Sequence, residues 1–396
     1  MFGILAAFLV YQFPAVKTRL DWRLDIAGVY ARGLLNPVGD VPTPAVQYTS
    51  APTPTRTQRP TPTPGPTATP QPSPTPLPST ISLPAPRWEK QDWNNCGPAT
   101  LSLYLNYFGW EGDQFSISDQ IKPDRSDRNV NVEELLFFAR NNTGWLQSRF
   151  RVGGTIDLLK QLLANGIPVM IEEGTHLDES YWLNDDRWAG HYLLLTAYDD
   201  ASGMFIGQDT FYGADQVVPY QTLDQNWKAF NRVFLLVYPP SQEETVMAIL
   251  GDHWDPDHNR QAALEKAEAE IEADPSDVYA WFNLGSNLLY FERYEEASAA
   301  YDEARQLGWP QRMMRYQFGP FIAYFHADRI EDLMVLTEYN LDKITPNSEE
   351  ALLWRGWGLY RQGDSAGAIE SFRLALEANP FSVDAQYALE FMGASP

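Results

Sequence analysis

The chain has 396 residues, 44% of them hydrophobic, with 52 Asp+Glu against 29 Lys+Arg and a formal net charge of −23. That length exceeds one ordinary domain and supports two with cores of useful size. The acidity excludes nucleic-acid binding without a local basic patch. A single cysteine, Cys96, excludes an internal disulfide framework, a cysteine-rich zinc site and an iron–sulfur cluster. It leaves either a lone nucleophile or an inert buried thiol.

At the N-terminus, Phe2 to Val16 is apolar apart from Gln12, and Lys17, Arg19 and Arg23 follow. The run is shorter than the roughly 20 residues of a spanning helix. It contains Pro14, no basic residue precedes it, and no clear small-residue cleavage site ends it. Residues 1–20 are read as a short hydrophobic helix anchoring the protein to a membrane, with a cleaved signal or a buried helix as alternatives. Residues 21–86 follow as a Pro/Thr-rich linker, since fifteen of the thirty prolines fall between Pro42 and Pro86. Such a stretch lacks the apolar residues that offset chain entropy and is expected to be disordered. Its prolines favour polyproline II at about 3.1 Å per residue, a semi-rigid spacer of the kind common in extracellular stalks. The positive charges behind the apolar run favour a cytoplasmic C-terminal side, but the stalk favours the extracytoplasmic face. A membrane-tethered extracytoplasmic protein is therefore expected, with secretion as the alternative.

Residues 87–240 mix short helices and strands. In Asn94-Asn95-Cys96-Gly97-Pro98-Ala99, Pro98 suits the first turn of a helix continued by Leu101, Leu103, Tyr104 and Leu105. Cys96 thus lies at a helix N-terminus, where the macrodipole and orphan N–H groups favour a thiolate. Val132–Arg140 reads as a helix with Asn129 and Asn131 as candidate caps, and Ile156–Leu163 as another ended by Asn165-Gly166. Pro168–Glu172 and Arg232–Tyr238 read as buried strands. Between Glu173 and Ala189, His176, Tyr181, Trp182 and Trp188 either line a cleft or cover the core. A thiol nucleophile needs a base, and among five histidines His191 stands at the glycine-opened mouth of an apolar strand, Trp188–Tyr198. If this strand forms a hairpin with Gly203–Asp209 around Asp199–Ser202, Asp209 lies near His191 and can orient the imidazole.

The order Gln-x-x-x-Asn-Cys-Gly-Pro-Ala, then Gly-His before an aliphatic strand, then a strand ending in Asp, resembles papain-like cysteine peptidases. Within them it resembles the bacteriocin-processing, double-glycine leader peptidase family in its stand-alone form. The resemblance implies an α+β domain with Cys96 as nucleophile, His191 as base and acid, and Asp209 as orienting group. Gln91 would supply an oxyanion donor beside the Cys96 N–H. Here the glutamine stands five residues before the cysteine, where that fold usually places it six before, a position occupied by Lys90. No metal or cofactor is implied, and the substrate is a peptide or protein.

Residues 241–396 carry helical repeats. Trp281, Leu284, Gly285, Leu288, Ala297, Tyr301, Ala304 and Pro310 follow tetratricopeptide spacing, as do Leu352, Gly356, Leu359, Ala368, Phe372, Ala375 and Pro380. About three repeats are expected, at 276–309, 311–346 and 347–380, the middle one degenerate. Helices Ala262–Ala273 and Val383–Met392 would close the ends of an all-α superhelix whose concave face binds a protein partner. Two histidines and three carboxylates in Asp252–His258 suggest a metal, but Pro256 breaks the helical spacing and an ordinary connector is favoured. His326 falls in the degenerate repeat as a packing or surface residue. The leading functional expectation is a membrane-tethered cysteine peptidase. An amidase or acyl transferase using the same residues, or a silent papain-like domain in an interaction scaffold, are the alternatives.

Overall fold

A computed structural model of the chain describes residue 11 and residues 14–45, 76–125 and 127–395. Its first half is built on seven strands: β1 (Thr80–Ser82), β2 (Gln147–Arg151), β3 (Val169–His176), β4 (Trp188–Asp199), β5 (Met204–Asp209), β6 (Gly213–Pro219) and β7 (Phe234–Tyr238). They form one antiparallel sheet in the order β2-β7-β3-β4-β5-β6. Strand β4 is long enough to serve two neighbours on one edge. Its residues 188–195 pair with β3 and its last three with β1, while β5 runs along the other edge.

Both faces of the sheet are covered, which is why the central strands read as nearly unbroken apolar runs. Alternation divides their side chains. Met170, Leu194 and Leu235 join the cluster beneath α2 (Cys96–Tyr107), α3 (Gln114–Ile121) and α4 (Val132–Asn142). Val169, Ile171, Leu193 and Leu195 join the opposite cluster, with α5 (Ile156–Ala164) and α6 (Tyr220–Lys228). The expected helices at 132 and 156 begin where their caps place them. Asn131 Oδ1 accepts from Glu134 N at 3.0 Å and Glu134 answers at the Asn131 N–H at 2.8 Å, while Thr155 Oγ1 accepts from Leu158 N at 3.1 Å.

The second half is helical: α7 (Glu243–Leu250), α8 (Pro256–Ala273), α9 (Val278–Tyr290), α10 (Tyr294–Leu307), α11 (Gly319–His326), α12 (Ile330–Tyr339), α13 (Glu349–Arg361), α14 (Ser365–Ala378) and α15 (Val383–Phe391). Helix pairs pack closely at their glycines. A Cβ on Gly285 would stand 2.7 Å from the Tyr301 ring, and one on Gly356 2.4 Å from the Phe372 ring. Asp255 caps α8 through the N–H groups of Asp257 (2.9 Å) and His258 (3.0 Å), so the acidic stretch at 252–258 serves a helix start. His326 stacks on Tyr294 at 4.4 Å between ring centroids.

First helices of the repeats face the sheet domain. Asn283 Nδ2 donates to the Lys228 carbonyl (2.9 Å), Asn231 Nδ2 to Asn287 Oδ1 (2.8 Å), and Asn129 Nδ2 to Glu350 Oε1 (3.0 Å). Trp182 and Trp188 are buried against the second half, Trp182 Nε1 donating to Gln311 Oε1 at 2.9 Å. The aromatics of the 173–189 loop therefore cover an interdomain core.

The expected linker over 21–86 is ordered at both ends. Helix α1 (Pro14–Leu35) runs through its first part, and residues 36–45 lie against the repeats. Val38 and Val41 are each 7% exposed there. The Arg305 guanidinium donates to the Pro42 carbonyl (3.0 and 2.7 Å), Ala45 N–H to Asp332 Oδ1 (2.9 Å), and Tyr339 OH to the Gly39 carbonyl (2.9 Å). Composition suggested disorder because the valines are few, but the partners that hold this segment are buried charges far along the chain. At the other end, β1 closes onto β4. Residues 46–75, and most of the apolar run at 1–20, lie outside the described residues. Among the described residues no helix is long and apolar enough to cross a membrane.

Candidate active site

Cys96 is the first residue of α2, and the turn before it is shaped for that position. Asn94 adopts φ +54°, in the left-handed region that asparagine tolerates better than most residues. Its carbonyl accepts from the Lys122 ammonium at 2.5 Å, and Lys122 also bonds the Asp127 carbonyl at 2.6 Å. A buried cation thus closes the loop behind the cysteine. Asn95, at the N-cap, gives its side-chain amide to Gln114 Oε1 (2.9 Å) and makes no cap bond to the helix. The positive end of α2 is left at the sulfur.

Strand register brings in the other two groups. His191 pairs with Glu173 across β3–β4, and Leu194 with Gln208 across β4–β5. Asp209, one residue beyond, is then diagonal to His191. His191 Nε2 is 3.1 Å from Asp209 Oδ1, both side chains being buried. The contact is close but off the N–H axis, so it acts more as a charge pair than as an in-line hydrogen bond. Asp209 Oδ1 is fixed further by the N–H groups of Phe211 (2.7 Å) and Tyr212 (2.9 Å). The imidazole and the Cys96 thiol also act on one another, each moving the other's pKa toward its charged form.

Gln91 lies alongside. Its N–H donates to the Thr210 carbonyl and its Oε1 accepts from Thr210 Oγ1, each at 2.9 Å. With that oxygen engaged, the amide nitrogen is free to donate. The structure therefore brings Cys96, His191 and Asp209 together and holds Gln91 at the adjoining end of β5.

Burial pushes the Cys96 thiol up, but the hydrogen bond and charge of His191, the Tyr192 N–H and the Lys122 charge outweigh it, so the net direction is down. For His191 burial acts downward, and Asp209 and Cys96 overcome it, carrying the imidazole up to about 10. Burial also raises Asp209, yet His191 and the N–H groups of Tyr212 and Phe211 hold the carboxyl below its ordinary value. Both shifts favour a thiolate–imidazolium pair over a neutral thiol and imidazole. Because Cys96 is the sole cysteine, its alkylation reports the pair directly. The thiolate reacts and exists above its pKa, so iodoacetamide labelling will inflect below the roughly 8.5 of an exposed thiol. Inflection at or above that value contradicts the pair.

Sequence reasoning missed Glu172 and Tyr316 among the residues of the cleft beside the sulfur, whose lining also includes Asn94, Gly97, Arg128, Gly190 and Tyr192. Desolvation lifts the buried Glu172 carboxyl well above its usual range, favouring its protonated form. Its signal in the sequence was a charged pair, Glu172-Glu173, directly behind the aliphatic residues Val169–Ile171. Tyr316 comes from the second half of the chain and carries no local signal.

Residues 82–234 match the family model of the Peptidase_C39 like family, and residues 257–312 and 336–388 match that of the Tetratricopeptide repeat. Among solved structures, a C39-like peptidase from Bacillus anthracis is 17% identical, with a TM-score of 0.31, covering 40% of this chain and 96% of its own. A double glycine motif protease from an AMS/PCAT transporter, in complex with the leader peptide, is also 17% identical, with a TM-score of 0.30, covering 40% of this chain and 94% of its own. A search of curated proteins finds no match. Residues 82–234 are a Peptidase_C39-like domain, and tetratricopeptide repeats follow it.

Proposed function

We propose that the protein is a cysteine peptidase that cleaves peptide bonds through Cys96, His191 and Asp209. One observation carries the reading: three groups from α2, β4 and β5 converge, with the thiol lowered and the imidazole raised. The Cys96 thiolate attacks the scissile carbonyl carbon, and the resulting oxyanion accepts from the Cys96 N–H and the Gln91 amide. The His191 imidazolium gives its proton to the leaving amine, which departs as an acyl-enzyme forms. Water, deprotonated by His191, then attacks the thioester and restores the thiol. Asp209 holds the imidazole orientation and its charge throughout. The repeats would contribute protein binding, although the helices expected to bind a partner already contact the sheet domain. Membrane attachment through the apolar N-terminal run rests on its sequence alone.

The test is hydrolysis of a peptide library by the full chain, read by mass spectrometry, beside Cys96→Ala. Turnover will fall by about 10⁴-fold or more in the variant, the scale seen when a catalytic nucleophile is removed. Cleavage by Cys96→Ala at the wild-type rate rejects the proposal.

A further inference from the structure

The middle repeat departs from its neighbours where it meets the sheet domain. Its first helix, α11, has 8 residues, whereas α9 and α13 have 13 each. The residues that would begin a longer helix form a 3-10 turn at Met313–Arg315 followed by Tyr316. Residues on both sides of Tyr316 are fastened to the other domain. Gln311 N–H donates to Asp186 Oδ2 (2.7 Å), Arg312 pairs with Asp185 and donates to the Trp188 carbonyl (3.0 Å), and Gln317 Nε2 donates to the Ala229 carbonyl (2.9 Å). Arg315, buried, is held from behind by the Ile344 carbonyl at 2.9 Å and Thr345 Oγ1 at 3.1 Å.

This bracket sets the Tyr316 ring beside the reactive groups. A Cβ on Gly190, the residue before His191, would stand 3.0 Å from Tyr316 Cδ1. The ring meets Trp188 at 5.7 Å and Phe230 at 6.2 Å, both edge-on. It lines the same cleft as Cys96 and Gly97, and its hydroxyl makes no hydrogen bond among the described residues. A rigid aromatic wall, fixed from both domains, therefore borders the space a substrate side chain must enter.

We infer that Tyr316, supplied by the repeat half, is a specificity-determining residue of the Cys96 cleft, limiting the size of the group admitted beside the sulfur. The repeat half thus completes the substrate site in addition to any partner binding. The degeneracy of the middle repeat is the structural requirement for delivering this ring. The inference rests on Cys96 being the reactive thiol of the site.

Its test is alkylation of Cys96 in the full chain, which needs no peptide hydrolysis, using iodoacetamide as the small reagent and N-(1-pyrenyl)maleimide as the bulky one. In Tyr316→Ala the bulky-to-small rate ratio will rise by about 10-fold, the scale of discrimination by pocket size. In Tyr316→Trp the ratio will fall, and in Tyr316→Phe, which keeps the wall, it will match wild type. A variant that merely unfolds speeds both reagents and leaves the ratio at that of denatured protein, so thermal melting accompanies each measurement. An unchanged ratio in folded Tyr316→Ala, equal changes in Ala and Phe variants, or a Cys96 unreactive to both reagents overturns the inference. Size gating without peptide hydrolysis would reject the peptidase reading and leave this one standing.

Discussion

His191→Ala will lower peptide hydrolysis by about 10³-fold or more, because general acid–base catalysis and thiol activation are lost together. The same substitution will raise the Cys96 pKa. Burial is the largest influence on that thiol, and His191 is the main group opposing it. Without the imidazole, only the Tyr192 N–H and the Lys122 charge remain to oppose desolvation. The alkylation profile of the variant will therefore inflect at higher pH than wild type. In the intact protein, activity needs a charged thiolate and a protonated imidazole. It rises as pH passes the lowered Cys96 value and declines as His191 loses its proton near 10. A variant with unchanged inflection would separate Cys96 from His191 and remove the basis for the ion pair.

Asp332→Ala will reduce the unfolding free energy by about 3–5 kcal/mol, the cost of leaving buried charge unpaired. Asp332 receives the Arg305 guanidinium at 3.0 Å and the Arg329 guanidinium at 2.7 and 3.1 Å, all within the second half. Asp302 takes Arg329 from the other side at 2.5 and 3.0 Å, and Tyr324 OH donates to Asp302 Oδ1 at 2.8 Å. Removal of Asp332 leaves the buried Arg305 guanidinium without its carboxylate and Arg329 with Asp302 alone. It also frees the Ala45 N–H, so cleavage by added protease near residue 45 will quicken. By contrast, Asp328→Ala breaks an exposed pair with Arg361 and will cost under about 1 kcal/mol. Urea unfolding of the three proteins makes the comparison. Equal losses in both variants would mean that burial of the network contributes nothing.

What could be read from the sequence followed from local patterns. Pro98 and the apolar run behind it marked α2, the asparagines before Val132 marked α4, and the apolar strands around Asp199–Ser202 marked the hairpin that brings Asp209 to His191. Glycine and alanine spacing marked the repeats, since close helix packing demands small residues at fixed intervals. What escaped was contact between distant segments. Nothing near Tyr316 announces a cleft residue, and nothing near Pro42 announces a docking site, because each is defined by partners in another part of the chain. The aromatic loop left two readings open for the same reason. Trp182 finds its place only once Gln311 and Arg312 arrive from the repeats.

Residues 36–45 are fastened to the repeats, and β1 is fastened to β4. A strand tied to the same body at both ends is a handle, and a handle adds no reach. Lengthening it alters its closure entropy by only about 0.6 kcal/mol per doubling, so its proline count is free to drift without disturbing the fold. If the first residues of the chain are fixed to a surface, the standoff of the sheet domain is set by α1, whose 22 residues give about 33 Å at helical rise. The proline-rich stretch, whatever its length, would leave that distance unchanged.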